Sequence, residues 1–243
     1  MSPELSPLYD GSYMKENIYF LDRPEHRNAL DLKTSEEILE LGKKLAKQKA
    51  PGMIIASRSS KIFCSGGDLK AYSKLTRSQG LKLNQKIRSN LQKLSHLPLI
   101  VVAAVDGLAL GGGCELALQC DLIATTPQAQ FAFKQSALGL TPGWGGLERL
   151  LKRTSQAKAL EWLASHRHIS ASEANRTGLS DFIFPRASLL KDSQSLIESL
   201  RSRVPLQTLK SLIYSHSPRL ETKVFESLWM GPTHKEQLRR FFE

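Results

Sequence analysis

The sequence predicts an α/β fold with a helical segment at its C-terminal end. Through about the first 185 residues, short apolar runs alternate with stretches of helical periodicity, a pattern typical of α/β domains. Glycine-rich turns join several of these runs to the helices that follow them. The remaining residues show helical patterns without strands. We therefore expect a core domain over residues 1–185 and an appended helical segment over residues 186–243.

Strands are expected where apolar runs are bounded by turn residues. These runs occupy residues 17–21, 53–56, 99–105, 121–125 and 129–133. The run at 99–105 is apolar throughout, so we expect it to be buried on both faces.

The segments between the strands are predicted to form helices. In the first, Asp31 or Thr34 is a candidate N-cap, and the helix extends to about Gln48. Its apolar face is formed by Ile38, Leu39, Leu41 and Leu45. Further helices are expected after residue 67, over residues 78–94, after residue 113, after residue 146, and from residue 188 onward with breaks at Pro205, Pro218 and Pro232.

Composition limits the classes of function. The chain carries a net charge of +11, but its basic residues are scattered, without an arginine-rich block, which disfavours a nucleic-acid partner. A small molecule bearing phosphates, such as coenzyme A, is a second candidate partner, and a solvated basic surface accounts for the largest share of the charge. No apolar run approaches the roughly 20 residues of a membrane-spanning helix, so we expect no membrane partner. The first residues lack the pattern of a secretory signal, and the cysteines are three, so we expect free thiols and a cytoplasmic location.

The richest chemical signal is a glycine triplet, Gly111–Gly113, which opens an apolar helix that carries Glu115. A second glycine turn, Gly66–Gly67, also precedes a predicted helix. Glycines allow a ligand to approach the backbone closely, and helix N-termini offer unpaired N–H groups. Two converging N–H groups would form an oxyanion hole for a carbonyl or thioester oxygen. Glu115 is the candidate acid/base beside it.

Other chemical motifs are weak or missing. The glycines match neither G-x-G-x-x-G nor a P-loop, and no G-x-S-x-G elbow is present. Ser65 lies in a glycine turn, but no histidine partner can be assigned to it. His166 and His168 form a pair without a third ligand, so we expect an exposed loop there and no metal site.

Five motifs, in order along nearly the whole chain, resemble the enoyl-CoA hydratase/isomerase (crotonase) family. Residues 23–30 resemble its R-P-x-x-x-N-A-L loop, and residues 63–69 resemble its F-x-x-G-x-D-L turn. Residues 107–121 resemble its G-x-A-x-G-G-G-x-E-L-x-x-x-C-D signature almost residue for residue. Residues 138–146 and 169–179 resemble its L-G-x-x-P-x-x-G-G and I-x-A-x-E-A-x-x-x-G-L segments.

The resemblance implies a crotonase-like spiral of ββα units, with C-terminal helices that build trimers or hexamers. It also implies an acyl-CoA substrate whose thioester carbonyl lies between the N–H groups of Gly67 and Gly112. No separate cofactor is implied, since coenzyme A is part of the substrate. The turn in contact with coenzyme A would be Gly67, Asp68, Leu69 and Lys70.

One departure from the family pattern concerns a second carboxylate. Hydratases of this family use two glutamates around one water, and Gln135 occupies the position of the second. An amide cannot shuttle a proton near neutral pH. Trp144-Gly-Gly146 and residues 228–232 resemble the family's decarboxylases of branched malonyl-CoA thioesters, which make an enolate without a base.

We therefore expect enolate chemistry on an acyl-CoA thioester, with Glu115 as the single acid/base and Gln135 as a polar group beside it. Decarboxylation or isomerisation is favoured over efficient hydration. An ordinary enoyl-CoA hydratase of fatty-acid oxidation is the alternative. A non-catalytic acyl-CoA- or RNA-binding relative is an alternative of another class, and an acyl-carrier-protein thioester stays open as the substrate carrier.

Overall fold

The computed structural model describes residues 15–200, 202, 204–215 and 217–242. The chain divides into two compact units, Met1–Ser199 and Leu200–Glu243. Within the described residues, no helix has both the length and the apolar character needed to cross a membrane.

The larger sheet of the first unit is parallel throughout. Its strands, in chain order, are β1 (Ile18–Leu21), β2 (Gly52–Ser57), β4 (Ile100–Val105), β6 (Leu122–Thr125) and β9 (Phe182–Ile183). They lie side by side in that same order. Every residue of β2 is buried, as is all of β4 beyond its first residue, because helices and the second sheet cover their faces.

The smaller sheet contains the strands that lead into the glycine turns. It is formed by β3 (Ile62–Cys64), β5 (Leu108–Leu110), β7 (Gln130–Ala132) and β8 (Ile169–Ser170). The first three are parallel, and β8 pairs antiparallel with β7. A strand of the larger sheet is thus followed by one of the smaller sheet and then by helix, which is the ββα repeat that the resemblance implies.

Gly107 makes the turn between β4 and β5. Its φ is +82°, and an added Cβ would lie 2.4 Å from the backbone carbonyl of Lys61. A side chain here would therefore be strained in conformation and would also collide with the neighbouring chain. This turn places β5 beside β3, so that the two glycine-rich turns after these strands become neighbours.

The helices of the first unit pack around the sheets, and their N-caps follow local sequence. Asp31 accepts a hydrogen bond from Thr34 N, which selects Asp31 from the two predicted caps. Thr76 and Gln79 form a capping box at the third helix. The helices are α1 (Leu32–Lys47), α2 (Leu69–Tyr72), α3 (Arg77–Ser95), α4 (Gly112–Gln119), α5 (Gly146–Arg153), α6 (Gln156–Ser165), α7 (Ala171–Arg176) and α8 (Leu189–Ser199).

The structure places the division between the units later than the expected boundary at residues 185/186. Helix α8 belongs to the first unit. Leu189 and Ile197 are buried in an apolar cluster with Ile54 and Val102 of the larger sheet. The helical pattern without strands starts before the boundary between the two units. The first helix of that pattern, α8, covers one face of the larger sheet and so belongs to the first unit.

The second unit contains helices that begin at prolines. Pro205 is the N-cap of α9 (Leu206–Tyr214), and α10 (Pro218–Leu228) and α11 (Pro232–Phe242) each start with proline. Proline suits a helix start because the first N–H groups of a helix have no intrahelical partner. The predicted breaks are therefore confirmed as helix beginnings.

Candidate active site

The two predicted glycine turns meet. The turn at Gly66–Gly67 follows β3, and the triplet Gly111–Gly113 follows the neighbouring strand β5. A Cβ added at Gly66 would lie 3.0 Å from the nitrogen of Gly112, and one at Gly113 would lie 2.1 Å from the carbonyl oxygen of Cys64. Only glycine permits this approach of two backbone segments.

The N–H groups of Gly67 and Gly112 are available at this junction. Among the described residues, neither N–H donates a hydrogen bond. Gly112 is the first residue of α4, so its N–H has no acceptor within the helix. Both glycines are partly exposed. The pair has the composition of an oxyanion hole, two backbone donors on adjacent turns.

Two aromatic rings contact these glycines. A Cβ added at Gly67 would lie 2.6 Å from the ring of Tyr72, and one at Gly112 would lie 2.3 Å from the indole of Trp144. Each donor is therefore flanked by an aromatic side chain. Sequence reasoning singled out Trp144 only for its motif, and it missed Tyr72.

Glu115 is buried at the centre of the site, with 2% of its surface exposed. Its Oε1 accepts hydrogen bonds from Gln135 Nε2 at 3.0 Å and from Gly143 N at 3.2 Å. Its Oε2 accepts from Trp144 N at 2.8 Å and from Gly146 N at 2.9 Å. Two oxygens with about four acceptor positions thus have four donors. The carboxylate also lies at the N-terminus of α5, where negative charge is favoured.

Gln135 lies beside Glu115, as the family resemblance implied. Because the carboxylate only accepts, the amide nitrogen of Gln135 must face it, and this orients the side chain. Its Oε1 is buried and has no partner among the described residues. Gln135 therefore presents one unused acceptor next to the Gly111–Gly113 turn.

The turn that follows Gly67 is held by Asp68. Its Oδ1 accepts from Ala71 N and caps α2, and its Oδ2 lies 3.1 Å from His26 Nδ1. Leu69 and Lys70 are exposed. Sequence reasoning missed His26, whose motif contains no signal for a partner 42 residues away.

Trp144 is fixed from several sides. Its N–H bonds to Glu115, its carbonyl accepts from Gln119 Nε2 at 2.9 Å, and its indole Nε1 donates to Asn84 Oδ1 at 2.9 Å. Gln119 is four residues after Glu115, so both side chains lie on one face of α4. That spacing was a readable signal for Gln119, whereas nothing local pointed to Asn84 on α3.

Burial raises the pKa values of one phenol and two thiols near the glycine turns. Burial raises the pKa of Tyr72 to about 12, with the carboxyls of Asp68 and Asp31 adding to the shift. Its hydroxyl has no hydrogen-bond partner among the described residues. Burial also raises the pKa of Cys64 to about 11 and that of Cys114 further. These thiols are therefore poor nucleophiles at neutral pH.

The described part of the chain contains no group of three or more histidine, cysteine or acidic residues arranged to hold a metal ion. His166 ends α6 with a left-handed backbone, and His168 Nδ1 lies 2.7 Å from Gln130 Oε1. Ser65 Oγ donates to the backbone carbonyl of His26 at 3.5 Å. The predicted site residues that the structure brings together are the two backbone donors, Glu115 and Gln135.

Comparisons with known proteins show similarity to one family over nearly the whole chain. Residues 17–228 match the family model described as enoyl-CoA hydratase/isomerase. A probable enoyl-CoA hydratase, echA8, of Mycobacterium leprae is 31% identical over 245 residues, covering 97% of this chain and 94% of that protein. A probable mitochondrial enoyl-CoA hydratase of Dictyostelium discoideum is 31% identical, covering 92% and 83%. The crystal structure of an enoyl-CoA hydratase from Bacillus anthracis is similar with a TM-score of 0.83 at 28% identity, covering 92% and 91%.

Proposed function

The chain belongs to the enoyl-CoA hydratase/isomerase family, and from that premise we propose that it acts on an acyl-CoA thioester held by the N–H groups of Gly67 and Gly112. These two donors are adjacent and unused among the described residues, which supports the proposal. They would stabilise the negative charge that develops on the thioester oxygen when an enolate forms. Asp68, Leu69 and Lys70 continue the same turn, and we propose this turn as the contact with coenzyme A.

We propose decarboxylation of a malonyl-type thioester as the reaction. In this reaction the bond between the α-carbon and the carboxylate breaks, and CO₂ leaves. The electron pair passes into the thioester enolate, whose oxygen carries the charge between the two N–H groups. A proton from solvent then adds to the α-carbon. No base is consumed in forming the enolate.

The observation that carries this proposal is the set of four donors on Glu115. A carboxylate whose acceptor positions are all engaged is not ready to take a proton from substrate or water. Gln135 supplies no second acid. We propose that Glu115 acts mainly by holding the segment Gly143–Gly146, whereas acid/base action would require that segment to move away.

Hydration is the second candidate. The relatives reported above are named as enoyl-CoA hydratases, and the unused Oε1 of Gln135 can accept a hydrogen bond from a water. Hydration with one carboxylate would require Glu115 to exchange a backbone donor for that water. Isomerisation makes the same demand on Glu115, since it must move a proton along the acyl chain.

The test supplies the protein with ethylmalonyl-CoA, crotonyl-CoA or a β,γ-unsaturated acyl-CoA in D₂O and follows the products by mass spectrometry. Loss of CO₂ with one deuterium on the α-carbon supports the proposal. If D₂O adds to crotonyl-CoA with a higher kcat/KM than that for loss of CO₂ from ethylmalonyl-CoA, hydration replaces decarboxylation as the proposed reaction. Migration of the double bond would replace decarboxylation with isomerisation. If acyl-CoA binds and no product forms, the protein is a binding relative.

We also propose that the protein assembles into trimers or hexamers through its C-terminal helices. Phe225 and Trp229 of the second unit stack on each other at 5.4 Å, and both remain largely exposed. Exposed aromatic side chains are common at protein interfaces. Light scattering after size-exclusion chromatography tests this, and a monomeric mass at micromolar concentration contradicts it.

A further inference from the structure

One stretch of the chain carries positive charge without any negative charge. Residues 69–105 contain seven lysine and arginine residues and no aspartate or glutamate, so they hold a net charge of +7 within the +11 of the whole chain. All seven side chains are exposed. They are scattered along the sequence, but α2, α3 and the turn between these helices carry them all.

Surface lysines on other helices are neutralised by glutamates nearby. Lys43 pairs with Glu40 on α1, and Lys158 pairs with Glu161 on α6. None of the seven cations of residues 69–105 forms an ion pair with a described residue. The positive charge of this stretch is therefore left for an anionic partner.

Three of these cations form a row along α3. Lys82, Lys86 and Lys93 are four and seven residues apart, so they lie on one face of the helix. At 1.5 Å per residue, the row is about 17 Å long. Like charges at this spacing repel one another, and an acidic partner would relieve the repulsion. The row therefore fits an elongated anionic surface, such as one acidic helix.

The surroundings of the row favour a protein partner over a lipid surface or a single-stranded nucleic acid. The apolar face of α3, with Ile87 and Leu91, is buried in the core and is not free to enter a bilayer. Nucleic-acid strands are bound by cations together with exposed aromatic rings, and the aromatic residue of this stretch, Tyr72, is partly buried. Leu81 is 50% exposed on α3 and offers the apolar contact that protein interfaces combine with charge.

The row also follows the turn that we propose as the contact with coenzyme A. Lys70 belongs to that turn, and α3 begins seven residues later, at Arg77. Acyl carrier proteins present thioesters on the same phosphopantetheine arm that coenzyme A contains. A carrier protein must dock close to this turn if its arm is to reach the two backbone donors.

We infer that Lys82, Lys86 and Lys93 dock an acidic acyl carrier protein, which presents the thioester to the site. Charge complementarity of this kind steers the encounter and sets the orientation of the partner. The inference rests on the proposed function and adds a macromolecular carrier of the substrate.

Calorimetry on the full chain tests the inference with two ligands, butyryl-CoA and the butyryl-loaded acyl carrier protein of the same organism. The wild type should bind the loaded carrier protein, and raised salt should weaken that binding. The triple variant Lys82→Glu/Lys86→Glu/Lys93→Glu should bind it about tenfold more weakly or worse, since three attractions become repulsions. Its affinity for butyryl-CoA should stay within about twofold of the wild type, because the row lies outside the turn at Gly67.

The triple variant Lys61→Glu/Arg176→Glu/Lys191→Glu is the matched control. Its three cations are exposed and lie outside residues 69–105, and the change in net charge is the same. Its affinity for the loaded carrier protein should stay within about threefold of the wild type. An equal loss in both triple variants would mean that net charge, and not the row on α3, governs binding, which overturns the inference.

The outcomes separate this inference from the proposed function. If the wild type binds butyryl-CoA but not the loaded carrier protein, the inference is overturned and the acyl-CoA site stands. An equal loss of both ligands in the α3 variant would assign the row to the phosphates of coenzyme A and also overturns it. Tighter binding to phosphatidylglycerol vesicles or to polyuridylate than to the carrier protein would replace the carrier with a membrane or a nucleic acid. Failure to bind either thioester overturns the proposed function, and the inference with it.

Discussion

Glu115 connects the chemistry of the site to its architecture. Its carboxylate binds three backbone N–H groups that precede or begin α5, and a fourth donor comes from Gln135. Removing the charge therefore affects the segment Gly143–Gly146 as well as any reaction. The same residue is both a candidate catalytic group and the anchor of Trp144.

Glu115→Gln should lower both stability and turnover. An amide has one acceptor oxygen, so at least one backbone N–H loses its buried partner, at a cost of about 1–3 kcal/mol. Urea unfolding measures this loss, and calorimetry should show acyl-CoA binding within about threefold of wild type. Glu148→Gln is the control, because Glu148 is exposed on α5 and pairs with Lys152 at 2.8 Å. Wild-type turnover by Glu115→Gln would remove Glu115 from the mechanism.

Gln135→Glu should increase the hydration of crotonyl-CoA. An oxygen of the new carboxyl would lie where Gln135 Nε2 now lies, 3.0 Å from Glu115 Oε1. Two carboxyl groups at this distance share one proton, because both cannot be ionised together. This supplies the acid and the base that hydration requires, so we expect a gain of about tenfold or more in kcat/KM. Gln130→Glu, at an exposed position on β7, should give no gain. An unchanged rate in Gln135→Glu would mean that the shape of the site, and not the missing acid, excludes water addition.

At the scale of elements, the packing of α4 against β3 determines where the two donors lie. Gly113 is in the first turn of α4 and touches the chain at Cys64 with no room for a side chain. The approach of helix to strand is thus set by backbone contact, which cannot relax by rotating a side chain. The distance between the turns at Gly66–Gly67 and Gly111–Gly113 depends on it.

A pair of glycine substitutions tests this packing. In Gly113→Ala, the Cβ would lie 2.1 Å from a backbone oxygen, and we expect a loss of about 3 kcal/mol or failure to fold. Gly80→Ala is the matched change in the first turn of α3, where nothing lies within 4 Å of the added Cβ. It should stabilise the protein by up to about 1 kcal/mol. Thermal unfolding of both variants gives the comparison, and equal melting temperatures would contradict the packing argument.

At the scale of the whole molecule, the net charge of +11 should lower the free energy of unfolding as the pH falls. Protonating carboxylates adds to the positive charge and removes the ion pairs that offset it. The clearest such pair is Glu173 with Arg167, whose guanidinium hydrogen bonds lower the pKa of Glu173 to about 2. The expected cytoplasmic location stays a prediction.

Glu173→Gln should therefore weaken the dependence of the free energy of unfolding on pH in the acid range. The pKa of Glu173 is about 2 in the folded protein, compared with 4.5 for an unperturbed glutamate. Its stabilising effect is fully present above about pH 4.5 and is lost as the pH falls through about 2. Unfolding free energies measured by urea between these limits should rise less steeply with pH in the variant. Glu36→Gln, an exposed change on α1, should keep the wild-type slope, and equal slopes in all three proteins would contradict the assignment.

The sequence was enough to predict the family, the alternation of strands and helices, the glycine turns and the helix caps. These features depend on residues that are neighbours within one turn, one strand or one motif. Asp31 as a cap and Pro205, Pro218 and Pro232 at helix starts are examples. The strands β3 and β5 were not predicted, since each is three residues long and is followed closely by a glycine turn, whose signal dominates the local sequence. The pairing of Glu115 with Gln135 was expected through the family resemblance.

Only the tertiary structure decided what surrounds those residues. The N–H groups that occupy Glu115 come from residues 28 to 31 positions later, and the asparagine that holds the indole of Trp144 is 60 positions earlier. Such contacts carry no local pattern, because they depend on how the two sheets stack and where α3, α4 and α5 come together. The sequence by itself therefore determined the family and its two glycine turns. The packing of distant segments decided that Glu115 is engaged by four donors and that Trp144 lies beside Gly112.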